Sequence, residues 1–212
     1  MAFLDKKIEN ENCIIGFWRI DEDSVSLLDR IKNCLDGDEL SQYGQFTHER
    51  RRCEWLASRI LIERLTGGYR KIFYEPSGKP YILGGMNVSI THSYDMVGVM
   101  LSKKKNIGLD VEKMNLRILK IEHKFLEKSE ISGIKPDHKI ESLYVNWCAK
   151  EAMYKAFNIK DFDFKDNFHL ASFDYLSSGE VPGVVVKDGT VKKFTVHYNE
   201  FDGYMLAWCA EN

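Results

Sequence analysis

The order of apolar and polar positions predicts strands and helices along the whole chain. Cys13 to Ile20 is largely apolar, which is typical of an opening strand, and residues 24–35 carry apolar side chains at helical spacing. The strongest early helix covers residues 48–66 and should end at Gly67-Gly68, because glycine readily adopts the left-handed conformation that ends helices. A strand at 70–74 and a turn at 75–80 should follow.

The middle of the chain is predicted to form further strands. Val88, Ile90 and His92 alternate with Ser89 and Thr91, and this period of two indicates a strand. The continuous apolar run 96–101 indicates a buried strand, and residues 107–111 resume a strand after a polar connection at 102–106. We therefore predict a hairpin between these last two strands.

The last hundred residues repeat the same alternation. Helices are predicted at 116–132 and 140–157, and strands at 168–175, 181–187, 191–198 and 203–209. Residues 90–101 and 196–206 each contain a strand, a histidine, a polar turn and an apolar strand with a glycine. This weak internal repeat suggests two similar α+β halves.

Composition limits the class of protein. A chain of 212 residues with 44% hydrophobic and 29% charged residues is long enough for one large or two small globular domains. It has no apolar run of the ~20 residues that span a bilayer, and its first residues lack the apolar core of a secretion signal. The five cysteines form no CxxC pair, so we expect reduced thiols, a cytoplasmic protein and no membrane partner.

Charge favours a small anionic ligand over a nucleic acid. The net charge is only −2, so a broad nucleic-acid-binding surface is not expected. One early segment is nevertheless basic, with Arg50, Arg51, Arg52, Arg59, Arg64, Arg70 and Lys71. Such a segment suits an anionic small molecule.

Two pairs of charged residues are candidates for chemistry. Asp110 and Glu112 are two apart on a predicted strand, so they share a face and repel each other unless a cation lies between them. Oxygen ligands of this kind suit Mg²⁺, although a solvated strand end near Lys113 would give the same pattern. Glu151 and Lys155 are four apart on a predicted helix and so are neighbours, as they would also be in an ordinary surface pair.

Several other chemistries lose support. The chain has no Walker A sequence, no GxGxxG and no GxSxG, which argues against P-loop, dinucleotide-binding and serine hydrolase folds. His92 has no HExxH or CxxC partner, so zinc is not expected, whereas an imidazole beside hydroxyls suits a phosphate. The turn Ser77 to Pro80 carries one lysine and could equally be an ordinary surface turn.

The order of these motifs resembles the 4′-phosphopantetheinyl transferase superfamily. The shared pattern is Gly-Lys-Pro, Asn-x-Ser-x-x-His-Ser, Gly-x-Asp-x-Glu, Phe-Leu-x-x-x-Glu and Trp-x-x-Lys-Glu-Ala-x-x-Lys. In this chain the motifs are Gly78 to Pro80, Asn87 to Ser93, Gly108 to Glu112, Phe125 to Glu130 and Trp147 to Lys155. The length favours the larger, monomeric surfactin-synthetase-activating (Sfp-like) type over the small trimeric type.

The resemblance implies a fold, an activity and partners. The fold would be α+β, with two similar halves in a pseudo-twofold arrangement and the active site between them. Residues 1–105 would form the half that binds the adenine and phosphates of coenzyme A, and residues 106–212 the half with the metal and catalytic carboxylates. The implied reaction moves the phosphopantetheine arm of coenzyme A to a serine of an acyl or peptidyl carrier protein and releases adenosine 3′,5′-bisphosphate.

The resemblance also implies roles for single residues. Asp110, Glu112 and Glu151 would hold Mg²⁺, where Mn²⁺ would also fit, and Glu151 could take the serine proton. Lys155 would stabilise the leaving group, and His92 would donate to a phosphate. The adenine and phosphate side would be formed by Gly78, Lys79, Pro80, Ser89 and Thr91, where Thr91 stands at a position at which serine is common.

Arg51 and Arg52 are the candidates for the 3′-phosphate of coenzyme A, although a solvated helix face would also explain them. Two rival functions share these residues. A magnesium-dependent phosphohydrolase would use the same three carboxylates, and a non-catalytic module would only bind coenzyme A or the carrier protein. Hydrolysis would leave the carrier serine unmodified, which separates it from transfer.

Overall fold

The computed structural model describes residues 4–9, 13–104, 106–157 and 161–211, the first of these segments by its backbone alone. The chain divides into two compact units, Met1–Lys103 and Lys104–Asn212. Each unit contains an antiparallel sheet and helices, so the predicted α+β class is confirmed. No helix in the described segments is both long enough and apolar enough to cross a bilayer.

The N-terminal unit packs its long helix on a six-stranded sheet. The sheet order is β1-β2-β6-β5-β4-β3. The third helix is buried continuously from Cys53 to Ile62 and ends at Gly67 with φ 73°, as its sequence predicted. The elements are β1 (Leu4–Glu9), β2 (Cys13–Arg19), α1 (Ser24–Ile31), α2 (Gly37–Gly44), α3 (Glu49–Thr66), β3 (Ile72–Tyr74), β4 (Pro80–Ile82), β5 (Met86–Ser93) and β6 (Met96–Ser102).

The C-terminal unit packs a second long helix on a five-stranded sheet of order β7-β11-β10-β9-β8. Its core includes Leu143, Ala149 and Ala152 from the long helix and Val196 and Met205 from the sheet. The elements are β7 (Ile107–Lys113), α4 (Ile118–Phe125), α5 (Lys128–Ser132), α6 (Lys139–Phe157), α7 (Phe164–Asn167), β8 (Phe168–Leu170), β9 (Ser178–Lys187), β10 (Thr190–Phe201) and β11 (Tyr204–Glu211).

The two units share one topology. In each unit the strand before the helices pairs with the last strand, and the order β2-β6-β5-β4-β3 matches β7-β11-β10-β9-β8. Both end in a hairpin with a two-residue turn, Tyr94-Asp95 and Asp202-Gly203. The repeat seen in the sequence lies in these hairpins. His92 is two residues before its turn and His197 is five before its own, so the two histidines are not equivalent.

One predicted pairing was wrong. β6 and β7 do not form a hairpin, because β6 pairs with β2 and β5 in one sheet and β7 pairs with β11 in the other. The two-residue turn at Tyr94-Asp95 instead makes β5 the hairpin partner of β6. The polar connection 102–106, of which residue 105 lies outside the described segments, joins the two units.

The helix predicted at 116–132 is two helices. Leu126 adopts an extended conformation (φ −121°, ψ 144°) that ends α4, and Glu127 begins α5 in a capping box with Glu130. The first two strands of the last predicted set also change length, since β8 stops at Leu170 and β9 begins at Ser178. The short elements β1, α2 and β4 were not predicted.

Candidate active site

Gly108 allows the backbone of α6 to lie directly against β7. A Cβ atom at this position would lie 1.8 Å from the carbonyl oxygen of Ala152 and 2.7 Å from its carbon. The side of β7 that carries residue 108 therefore faces α6. Asp110 and Glu112 follow on the same side, because alternate residues of a strand share a face. The glycine thus brings both carboxylates against the helix that carries Glu151 and Lys155.

Lys155 joins the helix to the strand. Its Nζ lies 2.8 Å from Asp110 Oδ1 and donates a hydrogen bond of 2.9 Å to the carbonyl oxygen of Leu109. Asp110 is only 5% exposed. The alternative of a solvated strand end therefore does not describe Asp110, and a loose surface pair does not describe Lys155.

Glu151 lies in the field of the same groups. The pKa of Glu151 is raised to about 7, chiefly by burial and next by the charge of Asp110, while Lys155 opposes the shift and the charge of Glu112 adds to it. A pKa near neutrality lets this carboxyl accept or release a proton at physiological pH. The structure thus brings the four residues predicted at this end of the site into one electrostatic cluster.

Cys148 belongs to the surroundings of this cluster and was not predicted from the sequence. The thiol is fully buried, its Sγ lies 3.6 Å from the carbonyl oxygen of Met205, and burial raises its pKa well above the usual value, with Asp110 and Glu112 adding to the shift. It therefore stays protonated and contributes apolar bulk behind the carboxylates. A buried cysteine one turn before Glu151 has no pattern by which sequence alone could identify it.

The donor set fits a small divalent cation in its chemistry. Three neighbouring carboxylates are the oxygen ligands that Mg²⁺ prefers, and a bound cation would offset their mutual repulsion. In the described part of the chain, no group of three or more His, Cys, Asp or Glu side chains is arranged to hold a metal ion. The positive charge next to Asp110 is instead the Lys155 ammonium. The metal role of the three carboxylates therefore stays a prediction.

A buried lysine fixes α6 just before Glu151. Lys150 is 0% exposed, and its Nζ donates to the carbonyl oxygens of Phe125 at 2.7 Å and Phe164 at 3.2 Å. It also lies 3.0 Å from Glu130 Oε1. Burial lowers the pKa of Lys150, and the Glu130 charge opposes this shift. Two of the recognised motifs are therefore joined by an ion pair that positions the helix.

Arg51 and His92 come together in the N-terminal unit. Arg51 Nη1 lies 3.0 Å from His92 Nε2, and both side chains contact Glu54, at 3.5 Å from Arg51 and 3.4 Å from His92 Nδ1. Glu54 is 7% exposed and was not predicted, since it is one of many charges on α3. Arg52 takes another direction and donates to the carbonyl oxygen of Phe46 at 2.8 Å.

The remaining residues predicted to bind coenzyme A lie in two places, on one face of β5 and at the turn that leads into β4. Ser89 and Thr91 are each 4% exposed and lie on the face of β5 opposite His92, because strand residues alternate. Gly78 lies at φ 88° in an exposed turn, which the Glu75 amide closes with a hydrogen bond of 2.9 Å to the Lys79 carbonyl oxygen. Pro80 begins β4 directly after this turn.

Comparison with known proteins finds relatives of the segment that carries the carboxylate cluster. Residues 106–209 match the family model of the 4′-phosphopantetheinyl transferase superfamily. A 4′-phosphopantetheinyl transferase AcpT of Escherichia coli K12 is 29% identical over 112 residues, which are 50% of this chain and 57% of that protein. The AcpT of Salmonella typhi is 27% identical over 112 residues, 50% of this chain and 58% of that protein.

A 4′-phosphopantetheinyl transferase of Bacillus subtilis is 30% identical over 149 residues, which are 63% of this chain and 59% of that protein. The matched part of this chain thus spans between half and two thirds of these relatives' own length. All of β7 and α6 lies within the family match, so Asp110, Glu112, Glu151 and Lys155 are part of the matched segment. Residues 106–209 of this chain are therefore similar to the 4′-phosphopantetheinyl transferase superfamily.

Proposed function

We propose that this protein transfers the 4′-phosphopantetheine arm of coenzyme A to a serine of an apo acyl or peptidyl carrier protein. One observation carries the proposal: Asp110, Glu112, Glu151 and Lys155 form a single cluster inside the segment that matches the family. The serine oxygen forms a bond to the phosphorus that bears pantetheine. The bond from that phosphorus to the rest of the nucleotide breaks, and adenosine 3′,5′-bisphosphate leaves.

Each residue of the cluster has its own role in the proposed transfer. Glu151, with its pKa near 7, takes the proton of the attacking serine hydroxyl. Lys155 keeps a positive charge beside Asp110 and stabilises the charge that develops on the leaving phosphate. Asp110, Glu112 and Glu151 would hold a Mg²⁺ ion, for which Mn²⁺ would also serve. The bound metal supplies Lewis-acid stabilisation of the pyrophosphate oxygens.

The exposed face of α4 and the residues just before it favour an acidic protein as the binding partner. Leu116 is 68% exposed and Leu119 is 38% exposed, just after the strand that carries Glu112. Arg117, Lys120 and Lys124 are exposed beside them at a spacing of three and four residues, which places them on one side of the helix. Basic residues next to exposed leucines suit a carrier protein with an acidic, partly apolar surface.

In the N-terminal unit, Arg51 and His92 are the proposed partners of a coenzyme A phosphate. Their nitrogens lie 3.0 Å apart, and Glu54 contacts both. Glu54 orients the two side chains, each of which is partly exposed to an incoming anion. The Sfp-like type, a monomeric state and a cytoplasmic location stay predictions.

Intact-protein mass spectrometry tests the transfer. An apo acyl carrier protein is incubated with this protein, coenzyme A and MgCl₂, and we expect it to gain the mass of one phosphopantetheine. The gain should disappear with EDTA and with Glu151→Gln. The matched control Glu141→Gln, on the same helix, should retain the gain.

The same experiment separates the rival functions. Consumption of coenzyme A without a mass gain on the carrier would favour a phosphohydrolase. Binding of coenzyme A without consumption on several carriers would favour a binding module. For docking, Lys120→Glu should raise KM for the carrier several-fold and weaken the salt dependence, whereas the control Lys193→Glu on β10 should not.

A further inference from the structure

A cavity lies in the C-terminal unit, on another side of α6 from the carboxylate cluster. It has a volume of about 230 Å³ and lies among α5, α6 and the segment after β8. Ser142 and Asn146 line it from α6. Asn146 precedes Glu151 by five residues, which is about 140° around the helix. The cavity is therefore distinct from the site proposed for phosphoryl transfer.

Two buried polar side chains line this cavity. Ser142 and Asn146 are each 6% exposed. Asn146 Nδ2 donates to the Ser142 carbonyl oxygen at 2.8 Å, and this bond fixes which end of the amide is the oxygen. This bond does not use Asn146 Oδ1 or the Ser142 hydroxyl. Both residues line the cavity, so these two groups can form hydrogen bonds to a ligand that enters it.

We propose that this cavity binds a neutral small molecule that carries a primary amide. An amide N–H donates to Asn146 Oδ1, and the amide oxygen accepts from the Ser142 hydroxyl, which matches the two groups one helical turn apart. Ile134, Leu170 and Phe173 line the cavity and pack against an apolar or aromatic body.

The charges around the cavity and its volume limit the class of ligand further. Glu130 also lines the cavity, and Lys150 neutralises it from 3.0 Å. An anion would meet the Glu130 carboxylate without gaining a cation of its own, so a neutral molecule is preferred. The volume is below the roughly 300–1,000 Å³ of common cofactor sites, which indicates a molecule of fragment size.

Titration of the full chain with benzamide, followed by ¹H–¹⁵N NMR, tests the proposal. Benzoate is the matched probe, because it has the same ring and size but a negative charge and no N–H. We expect saturable shifts of the Asn146 side-chain amide with benzamide and a dissociation constant of about 1 mM. Benzoate should bind at least about tenfold more weakly. The titration needs no Mg²⁺ and no coenzyme A, so it is independent of the transferase proposal.

Two variants separate this site from general binding. Ser142→Ala should weaken benzamide about three- to tenfold, and alanine is a good helix former, so the fold should persist. Asn146→Leu should weaken it by tenfold or more. Ser132→Ala, outside the cavity on α5, should bind like the native protein. Unsaturable shifts, equal binding of benzoate, or native affinity in Ser142→Ala would each overturn the proposal.

Discussion

Gly108→Ala tests whether the close contact of α6 and β7 builds the active site. The added Cβ would lie 1.8 Å from the Ala152 carbonyl oxygen, whereas 3.0 Å is the shortest separation that real Cβ atoms show. Neither the new Cβ atom nor the Ala152 carbonyl oxygen can move without its backbone. The helix must therefore move by about 1.2 Å, the difference between these two distances. Glu151 and Lys155 would move with it, away from Asp110 and Glu112.

The substitution should lower both the stability of the fold and the rate of catalysis. Overpacking of this kind destabilises by about 1–3 kcal/mol, which lowers Tm by several degrees. A displacement of about 1 Å in a catalytic group can cost about 10²-fold in rate, so kcat should fall well beyond the loss of folded protein.

Thermal unfolding and carrier-protein mass spectrometry measure the two effects. Gly44→Ala is the matched control, since a Cβ there meets nothing within 4 Å. Native Tm and kcat in Gly108→Ala would refute the role given to the close contact. A lower Tm with native kcat would show that the catalytic groups do not depend on it.

Three further predictions concern charged side chains. Lys150→Met should lower the free energy of unfolding by about 1–3 kcal/mol in chemical denaturation, because it leaves Glu130 and two carbonyl groups without their donor; an unchanged midpoint would contradict this. The folded pKa of Glu151 is raised above its unfolded value, so metal-free protein should lose stability as pH rises from about 4.5 through about 7, and Glu151→Gln should flatten that profile; parallel profiles would count against it. Arg51→Ala should raise KM for coenzyme A about tenfold and Arg52→Ala much less, because only Arg51 contacts His92; the reverse order in steady-state kinetics would move the phosphate site.

The long periodic elements could be predicted from sequence because their signals are local. α3 ended at Gly67 as predicted, and α6 was placed to within one residue. The wrong hairpin shows where local reasoning stops. Periodicity marks β6 and β7 as strands, but it carries no information on which strand pairs with which, and pairing is decided by the whole sheet.

The active-site residues show the same limit of reasoning from local sequence. Spacing put Asp110 and Glu112 on one face, yet it did not reveal that Gly108 makes the close approach to α6, since a glycine in a strand has several explanations. Glu54 and Cys148 were missed because their contacts with His92 and Met205 cross long sequence separations. Ser89 and Thr91 were grouped with His92 by adjacency, although strand alternation directs them to the opposite face.

The shared topology shows which residues of the N-terminal unit occupy the positions of the carboxylate pair. Arg19 pairs with Met96 next to the first closing turn, as Lys113 pairs with Tyr204 next to the second. Counting back from these pairs, the position of Glu112 is taken by Trp18 and that of Asp110 by Gly16.

Trp18 is fully buried, and the guanidinium groups of Arg64 and Arg30 lie 4.6 Å and 5.0 Å from its ring. The Trp18 indole offers no lone pair to ligate a divalent metal, and the two guanidinium groups beside it would repel one. At this register the N-terminal unit is therefore unsuited to metal chemistry, whereas its basic residues suit an anion. The two units share one topology, and the proposed function assigns the metal-binding carboxylates to the C-terminal unit and an arginine for the anion to the N-terminal unit.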